Sequence, residues 1–340
     1  MTSGMSKNGL PNNIQVELVE GCNRMCAFCG IYSIWKEKQD RIVHFMDFDL
    51  AKQVAAGLSS WKGFEKKRIE FAMHGEPTLH PKHTDIITVF RKSLPYAQLQ
   101  FTTNGILLHQ WGSDYVKKLF QSGVNILVVD TYSNREEINK ALVGSGIRIS
   151  SYYGDGSVNP YHYHGPDLQV IVVMDDLGKR SGSRAARKIL NHAGNSNQKV
   201  LLRLGIPPIN APLTKKCSRP FREITIHYDG TVPICCTDWR HECLLGKFPD
   251  SGSFQDIWNS DGFQSARALL GNGLREGIVP CARCDYNGGF RLGLLPKPPR
   301  ISEQDALDHI NSYAARFKKY RHKNADSLEK SENKGITRFL

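Results

Sequence analysis

Apolar residues in the first half of the chain collect in short, β-branched runs separated by stretches of helical period. The runs are 14–19 (IQVELV), 68–73 (RIEFAM), 98–103 (QLQFTT), 124–130 (VNILVVD) and 168–174 (LQVIVVM). Buried parallel strands read this way because helices cover the sheet. Helical spacing fills 47–60, 83–93, 112–122 and 134–143, with Asp47 and Ser133 placed as N-caps. Strands alternating with helices predict an α/β fold built on a parallel sheet.

Beyond residue 145 the pattern loosens. Residues 147–152 and 198–204 (QKVLLRL) read as further strands, and the Gly-, Tyr- and His-rich stretch 152–168 reads as a long loop. Prolines in 205–216 (GIPPINAPLTKK) suit a linker. The segment FREITIHYDGTVPICC then reads as two short strands joined at Asp229-Gly230, a hairpin signal. Residues 253–270 look helical, interrupted at Gly262, and 302–319 look like a last helix capped by Ser302.

Composition narrows the class. A chain of 340 residues with 40% hydrophobic residues can build a large core. It has no run approaching the roughly 18 apolar residues of a membrane span, and no apolar secretory stretch at its start, so a soluble, cytoplasmic protein is expected. The formal charge is +12, part of it from residues 316–340, where eight Lys/Arg face three acids; a solvated tail accounts for that segment. No nucleic-acid-binding motif accompanies the charge, so nucleic acid is not expected as a partner.

The nine cysteines change the picture most. They fall at 22, 26, 29; then 217, 235, 236, 243; then 281 and 284. An odd count argues against a disulfide framework, and such grouping suits metal ligation. Cys22, Cys26 and Cys29 follow the first strand as C-x3-C-x2-C. Three thiolates on one loop can hold three irons of a [4Fe–4S] cubane and leave the fourth open to a small molecule. The alternatives are an incomplete zinc site or a chance spacing.

This segment, EGCNRMCAFCGIY, resembles the signature of the radical S-adenosylmethionine (SAM) superfamily, with Phe28 at the position of the aromatic that packs beside adenine. Gly75, Glu76 and Pro77, at the end of the second strand, resemble the family's Gly-Gly-Glu-Pro segment, with His74 in place of the first glycine; there the strand end and the Glu help hold the SAM amino group. Thr102 and Asn104 in FTTNG, after the third strand, resemble polar residues that face SAM, and Asp130 ends the fourth strand at the same rim. The resemblance implies a partial (β/α)6 TIM-like barrel, its site at the C-terminal ends of the strands. It also implies reductive cleavage of SAM to a 5′-deoxyadenosyl radical that abstracts a substrate hydrogen atom, with flavodoxin or ferredoxin as the one-electron donor.

Cys217, Cys235, Cys281 and Cys284, spaced C-x17-C-x45-C-x2-C, can close a second metal site. Taken alone, a four-cysteine zinc site fits them. Beside the first motif, CSRPFREITIHYDGTVPICCTDW resembles the SPASM/Twitch extensions of radical SAM enzymes. The single C-x2-C resembles the shorter, one-cluster type, aminocyclitol dehydrogenases among them, which implies an auxiliary [4Fe–4S] cluster. Cys236 can replace Cys235 as ligand, since adjacent strand residues face opposite ways. Cys236 and Cys243 otherwise read as small buried hydrophobes or as hydrogen-atom donors to a substrate radical. The domains expected are 10–205, the barrel; 206–300, a small hairpin and helix iron–sulfur domain; and 301–340, a helix and basic tail. Oxidation or epimerisation of a small or sugar-like molecule is the expected activity. Modification of a peptide or protein ranks second, and a zinc-stabilised binding module third.

Overall fold

The computed structural model describes residues 9–39, 41–131, 135–151, 157–174, 190–209, 211–288 and 295–328. In chain order the first elements are β1 (Asn13–Val16), β2 (Val19–Glu20), α1 (Gly30–Lys38), β3 (His44–Phe45), α2 (Phe48–Ser59), β4 (Arg68–Phe71), α3 (His83–Ser93), β5 (Gln98–Thr103), α4 (Ile106–Gln121), β6 (Ile126–Asp130), α5 (Arg135–Gly144), β7 (Ile149–Ser151) and β8 (Val170–Met174). The later ones are α6 (Gln198–Arg203), α7 (Arg219–Arg222), β9 (Glu223–Ile226), β10 (Thr231–Pro233), β11 (Leu244–Lys247), α8 (Phe254–Asn259), α9 (Asp261–Gly271), α10 (Val279–Ala282) and α11 (Glu303–Leu328).

Seven strands form one sheet in the order β7-β8-β6-β5-β4-β1-β9, parallel throughout. This is the expected partial barrel. Alternation along the strands sorts its two faces. Ile14, Val16, Ile69, Phe71, Leu99 and Phe101 are fully buried in the main core with Val54 and Leu58 of α2 and Phe90 of α3. Phe71 meets Phe90 edge to face, ring centroids 5.0 Å apart. The intervening residues Gln15, Arg68, Glu70, Gln100 and Thr102 turn to the other, inner face.

Asp47 caps α2 as expected, accepting N–H bonds from Asp49 and Leu50. Ser133 lies outside the described residues, as do residues 329–340 of the basic tail. Three expectations fail. Residues 198–203 form α6 rather than a strand, because the Asn197 side chain accepts from the backbone of Lys199 and Val200 and starts a helix. The Asp229-Gly230 turn is present, but its flanks are not paired strands: β9 joins the barrel sheet beside β1, and β10 pairs antiparallel with β11. Segment 206–300 therefore supplies the barrel's edge strand. The helix over 253–270 breaks at Ser260, which ends α8 and caps α9, while Gly262 sits inside α9 where a Cβ would press on Tyr313.

Candidate active site

The cysteine loop is rooted by main-chain pairing. Gly21 and Gly75 bridge in parallel; the Gly21 N–H donates to the His74 carbonyl (3.1 Å) and the Glu76 N–H donates to the Gly21 carbonyl (2.9 Å). A Cβ on Gly75 would lie 2.2 Å from the Val19 carbonyl oxygen and 2.4 Å from that of Gly21. The glycine is there for close backbone approach.

Glu76 is buried and accepts four hydrogen bonds: Thr78 N–H (3.1 Å), Thr78 Oγ1 (2.6 Å) and Thr103 Oγ1 (2.7 Å) on one oxygen, and Asn104 N–H (2.7 Å) on the other. Burial pushes its carboxyl up and these donors pull it back, leaving it above the usual range. Pro77 opens a single 3₁₀ turn after it. The Asn104 amide reaches Asn23 Oδ1 (2.9 Å) and Cys22 Sγ (3.5 Å). Glu76 thus joins the end of β4 to the loop after β5, and Asn104 joins that loop to the cysteines.

Cys22, Cys26 and Cys29 sit close enough to act on one another, and none is in a disulfide. Burial first, then the Glu76 carboxylate, pushes the Cys22 thiol up to about 12; burial chiefly pushes Cys29 up to about 11. Arg24 donates to Cys26 Sγ through its Nε (3.2 Å) and to Cys22 Sγ through its backbone N–H (3.4 Å). Asp130, ending β6, lies near enough to help raise Cys26. Three half-buried thiols crowded together beside Glu76 and Asp130 are poor thiolates without a cation, and donors of this type fit an iron cluster. The half-buried Phe28 has its carbonyl held by Ser196 Oγ (2.8 Å).

Thr102 stands apart from this group. Its hydroxyl donates to Glu70 (3.2 Å) on the inner face, and Thr103 is the threonine that touches Glu76. The inner face carries a connected polar set: Arg68 Nη1 to Glu70 (2.9 Å) and Gln100 (3.0 Å), and Gln100 Nε2 to Glu70 (3.0 Å). Sequence reading missed Thr103, Thr78 and this network, although the alternation of Arg68 and Glu70 with Ile69 and Phe71 was a usable signal. It also missed His192, whose Nδ1 accepts the Gly30 N–H at the start of α1 (3.2 Å) and whose ring stacks on Trp239. No local pattern announces that contact.

The second cysteine group converges on a small cavity lined by Cys217, Cys235, Cys281 and Cys284 together with Arg219, Arg275, Ile234, Leu270 and Tyr286. Burial, and then the neighbouring thiols of Cys235, Cys217, Cys243 and Cys284, push Cys281 far up. A walled pocket with four thiols and two guanidiniums fits a fully ligated, anionic iron–sulfur cluster. Cys236 does not line it. Its thiol contacts Arg219 Nη1, lies 3.8 Å from Glu223 Oε1 and is near enough to Glu70 to feel its charge, so it faces the inner side. Cys243 is 2% exposed and packed in the main core, with its N–H on Asp238 (2.8 Å).

Residues 16–149 match the radical SAM superfamily and residues 217–285 match the SPASM iron–sulfur cluster-binding domain. The chain is 24% identical over 276 residues to the S-adenosyl-L-methionine-dependent 2-deoxy-scyllo-inosamine dehydrogenase of Niallia circulans, covering 80% of this chain and 92% of that protein. It is 26% identical over 187 residues to the tungsten-containing aldehyde ferredoxin oxidoreductase cofactor-modifying protein of Pyrococcus furiosus, covering 52% of this chain and 48% of the other. Its fold is similar to that of BtrN, solved in complex with AdoMet and 2-DOIA, with a TM-score of 0.58 at 21% identity, covering 81% of this chain and 93% of BtrN. Among the described residues no helix is long and apolar enough to cross a membrane. The chain belongs to the radical SAM superfamily, as an enzyme whose SAM-binding barrel is followed by a SPASM iron–sulfur domain.

Proposed function

We propose that the protein abstracts a hydrogen atom from a polar, hydroxyl-bearing small molecule of sugar-like type and oxidises it. The observation that carries this reading is the inner face of the sheet. Arg68, Glu70, Gln100 and Thr102 form a hydrogen-bonded polar surface where a buried barrel could have been apolar. Hydroxyl and amino groups of a substrate can exchange for those bonds, whereas an apolar substrate would leave them unpaired.

In this reading Cys22, Cys26 and Cys29 hold the SAM-binding cluster. Gly75, Glu76, Pro77, Asn104, Asp130 and Phe28 shape the pocket for SAM, with Thr102 toward the substrate side. Glu76 acts chiefly by fixing the loop that carries Asn104, since its oxygens are already engaged. Cys217, Cys235, Cys281 and Cys284 hold an auxiliary cluster. When bound, SAM and its reduced cluster supply a radical able to take a hydrogen atom from an unreactive C–H bond, and the auxiliary cluster supplies an acceptor for the electron left on the substrate. The chain's own part is to position these groups and exclude water. A flavodoxin or ferredoxin is the electron source, and nine free cysteines suit the reducing cytoplasm.

One observation favours epimerisation as a second reading. Cys236 turns its thiol to the inner side, beside Glu223 and Arg219, where it could return a hydrogen atom to a substrate radical.

Anaerobic reconstitution tests the reading. It predicts about eight irons per chain and reductive cleavage of SAM. Deuterium should pass from ring-labelled aminocyclitols or polyols into 5′-deoxyadenosine. A ketone product indicates oxidation; hydrogen from solvent at the substrate carbon indicates epimerisation. Stoichiometric zinc without SAM cleavage would overturn both.

A further inference from the structure

Behind the Gly75–Glu76 segment lies a cluster that neither cysteine group explains. Glu17 follows β1, Glu20 ends β2, His74 follows β4, His227 follows β9 and His241 lies in the loop before β11. One nitrogen or oxygen atom from each falls within 4.8 Å of all the others, and all five side chains are buried. We propose that Glu17, Glu20, His74, His227 and His241 form a site for one divalent transition-metal ion.

The hydrogen bonds leave donor atoms converging without protons. His74 Nε2 sits 3.0 Å from the Cys236 carbonyl oxygen, and only an N–H bonds a carbonyl. In the neutral ring Nδ1 then carries a lone pair, yet it faces Glu17 Oε1 at 3.1 Å and makes no hydrogen bond. His227 Nδ1 donates to the other Glu17 oxygen at 2.8 Å, and its Nε2 is buried with no hydrogen-bond partner among the described residues. His241 Nε2 meets Glu20 Oε2 at 2.8 Å. The lone pairs of His74 Nδ1 and Glu17 Oε1 face one another and repel; a cation between them removes the conflict. The bonds of His74 to a carbonyl and of His227 to a carboxylate are those that orient metal-ligating imidazoles.

Charge points the same way. Two buried carboxylates need two positive charges. Protons alone would have to charge two of three imidazoles packed together: His227 and His241 have ring centroids 3.8 Å apart, and His74 lies 5.4 Å from the first and 6.2 Å from the second. A charged His227 would also leave a buried N–H unbonded. One dication satisfies both carboxylates. With metal–ligand bonds of about 2.1 Å, opposite ligands stand about 4.2 Å apart, so the cluster needs only slight closure. Imidazole and carboxylate without thiolate suit zinc, manganese or ferrous iron. The ion would tie together the root of the cysteine loop, the Gly75–Glu76 segment and the segment that carries Cys235.

Cobalt(II) is the probe. Holoenzyme with both iron–sulfur sites filled is titrated anaerobically with cobalt, and bound metal is counted and examined by visible and X-ray absorption. The expected result is about one cobalt per chain, with ligand-field bands, an imidazole scattering shell and no thiolate-to-cobalt charge transfer. The H227A/H241A double variant and E20Q, compared at equal iron content, should bind cobalt at least tenfold more weakly. No uptake by the wild-type holoenzyme, sulfur in the cobalt shell, or uptake unchanged in both variants would overturn the site. Because the wild-type readout decides by itself, a variant that folds poorly does not protect the proposal. SAM cleavage is not the readout, so the outcome is independent of the substrate assignment.

Discussion

The Glu76 carboxylate accepts the Asn104 N–H at 2.7 Å, and through that bond the end of β4 sets the position of the loop that reaches Cys22. The other Glu76 oxygen takes two hydroxyls and the Thr78 N–H. A glutamine cannot match this set. Whichever way its amide is turned, an NH₂ faces a backbone N–H. E76Q should therefore cost about 2 kcal/mol, the penalty of a buried donor without an acceptor. SAM cleavage should fall as Asn104 shifts. Denaturant midpoints and SAM turnover at equal iron content check both.

Gly75 makes a sharper case. Its Cβ would penetrate the Val19 and Gly21 carbonyls, which are backbone and cannot swing aside. G75A should cost roughly 3 kcal/mol and dislodge the cysteine loop, because the Gly21–Gly75 bridge roots it. Iron analysis should find the first cluster depleted and the second retained. Equal stability and full iron would refute the packing argument.

The barrel strands were legible because each is a β-branched run whose partner lies one βα unit away. Strand β9 was not. EITI reads as a strand, and Asp229-Gly230 reads as a turn, but nothing local says that Ile224 pairs with Ile14. Residues 198–204 failed for another reason: a short apolar run has no period of its own, and the Asn197 cap decided for helix. The cysteine loop was readable from spacing. The choice of Cys235 was half readable, since alternation sends neighbours to opposite faces without saying which face holds the cavity. The Glu17–His241 cluster was invisible, its members being scattered over the chain and joined only by tertiary structure.

His192 supplies a pH dependence. Burial chiefly, with the Arg219 guanidinium adding to it, lowers its pKa from 6.5 to about 4. Its neutral Nδ1 accepts the Gly30 N–H. The unfolded chain therefore binds a proton that the folded chain refuses, and stability falls as pH drops through the window from about 6.5 to about 4. By pH ~5 the loss from this group is about 2 kcal/mol. In H192Q that part of the slope should vanish. Denaturant midpoints of both proteins between pH ~7 and ~5 measure it; parallel slopes would remove His192 as the cause.

Cys235 and Cys236 are neighbours with opposite surroundings, and substitution should separate them. Cys235 lines the four-thiol cavity, while Cys236 meets Arg219 and Glu223 on the inner side. C235S should lose about four of about eight irons and keep SAM cleavage, since the first cysteine loop is rooted elsewhere. Substrate oxidation should drop by a hundredfold or more while 5′-deoxyadenosine still forms, because hydrogen abstraction no longer leads on to product. C236S should keep both clusters. If the enzyme oxidises, C236S should retain product formation within a few fold, altering only the contacts to Arg219 and Glu223. If it epimerises, C236S should still abstract hydrogen but fail to return it, so 5′-deoxyadenosine accumulates without epimer. Iron loss from C236S in place of C235S would reverse the ligand assignment, and with it the inward-facing thiol on which the epimerase reading depends.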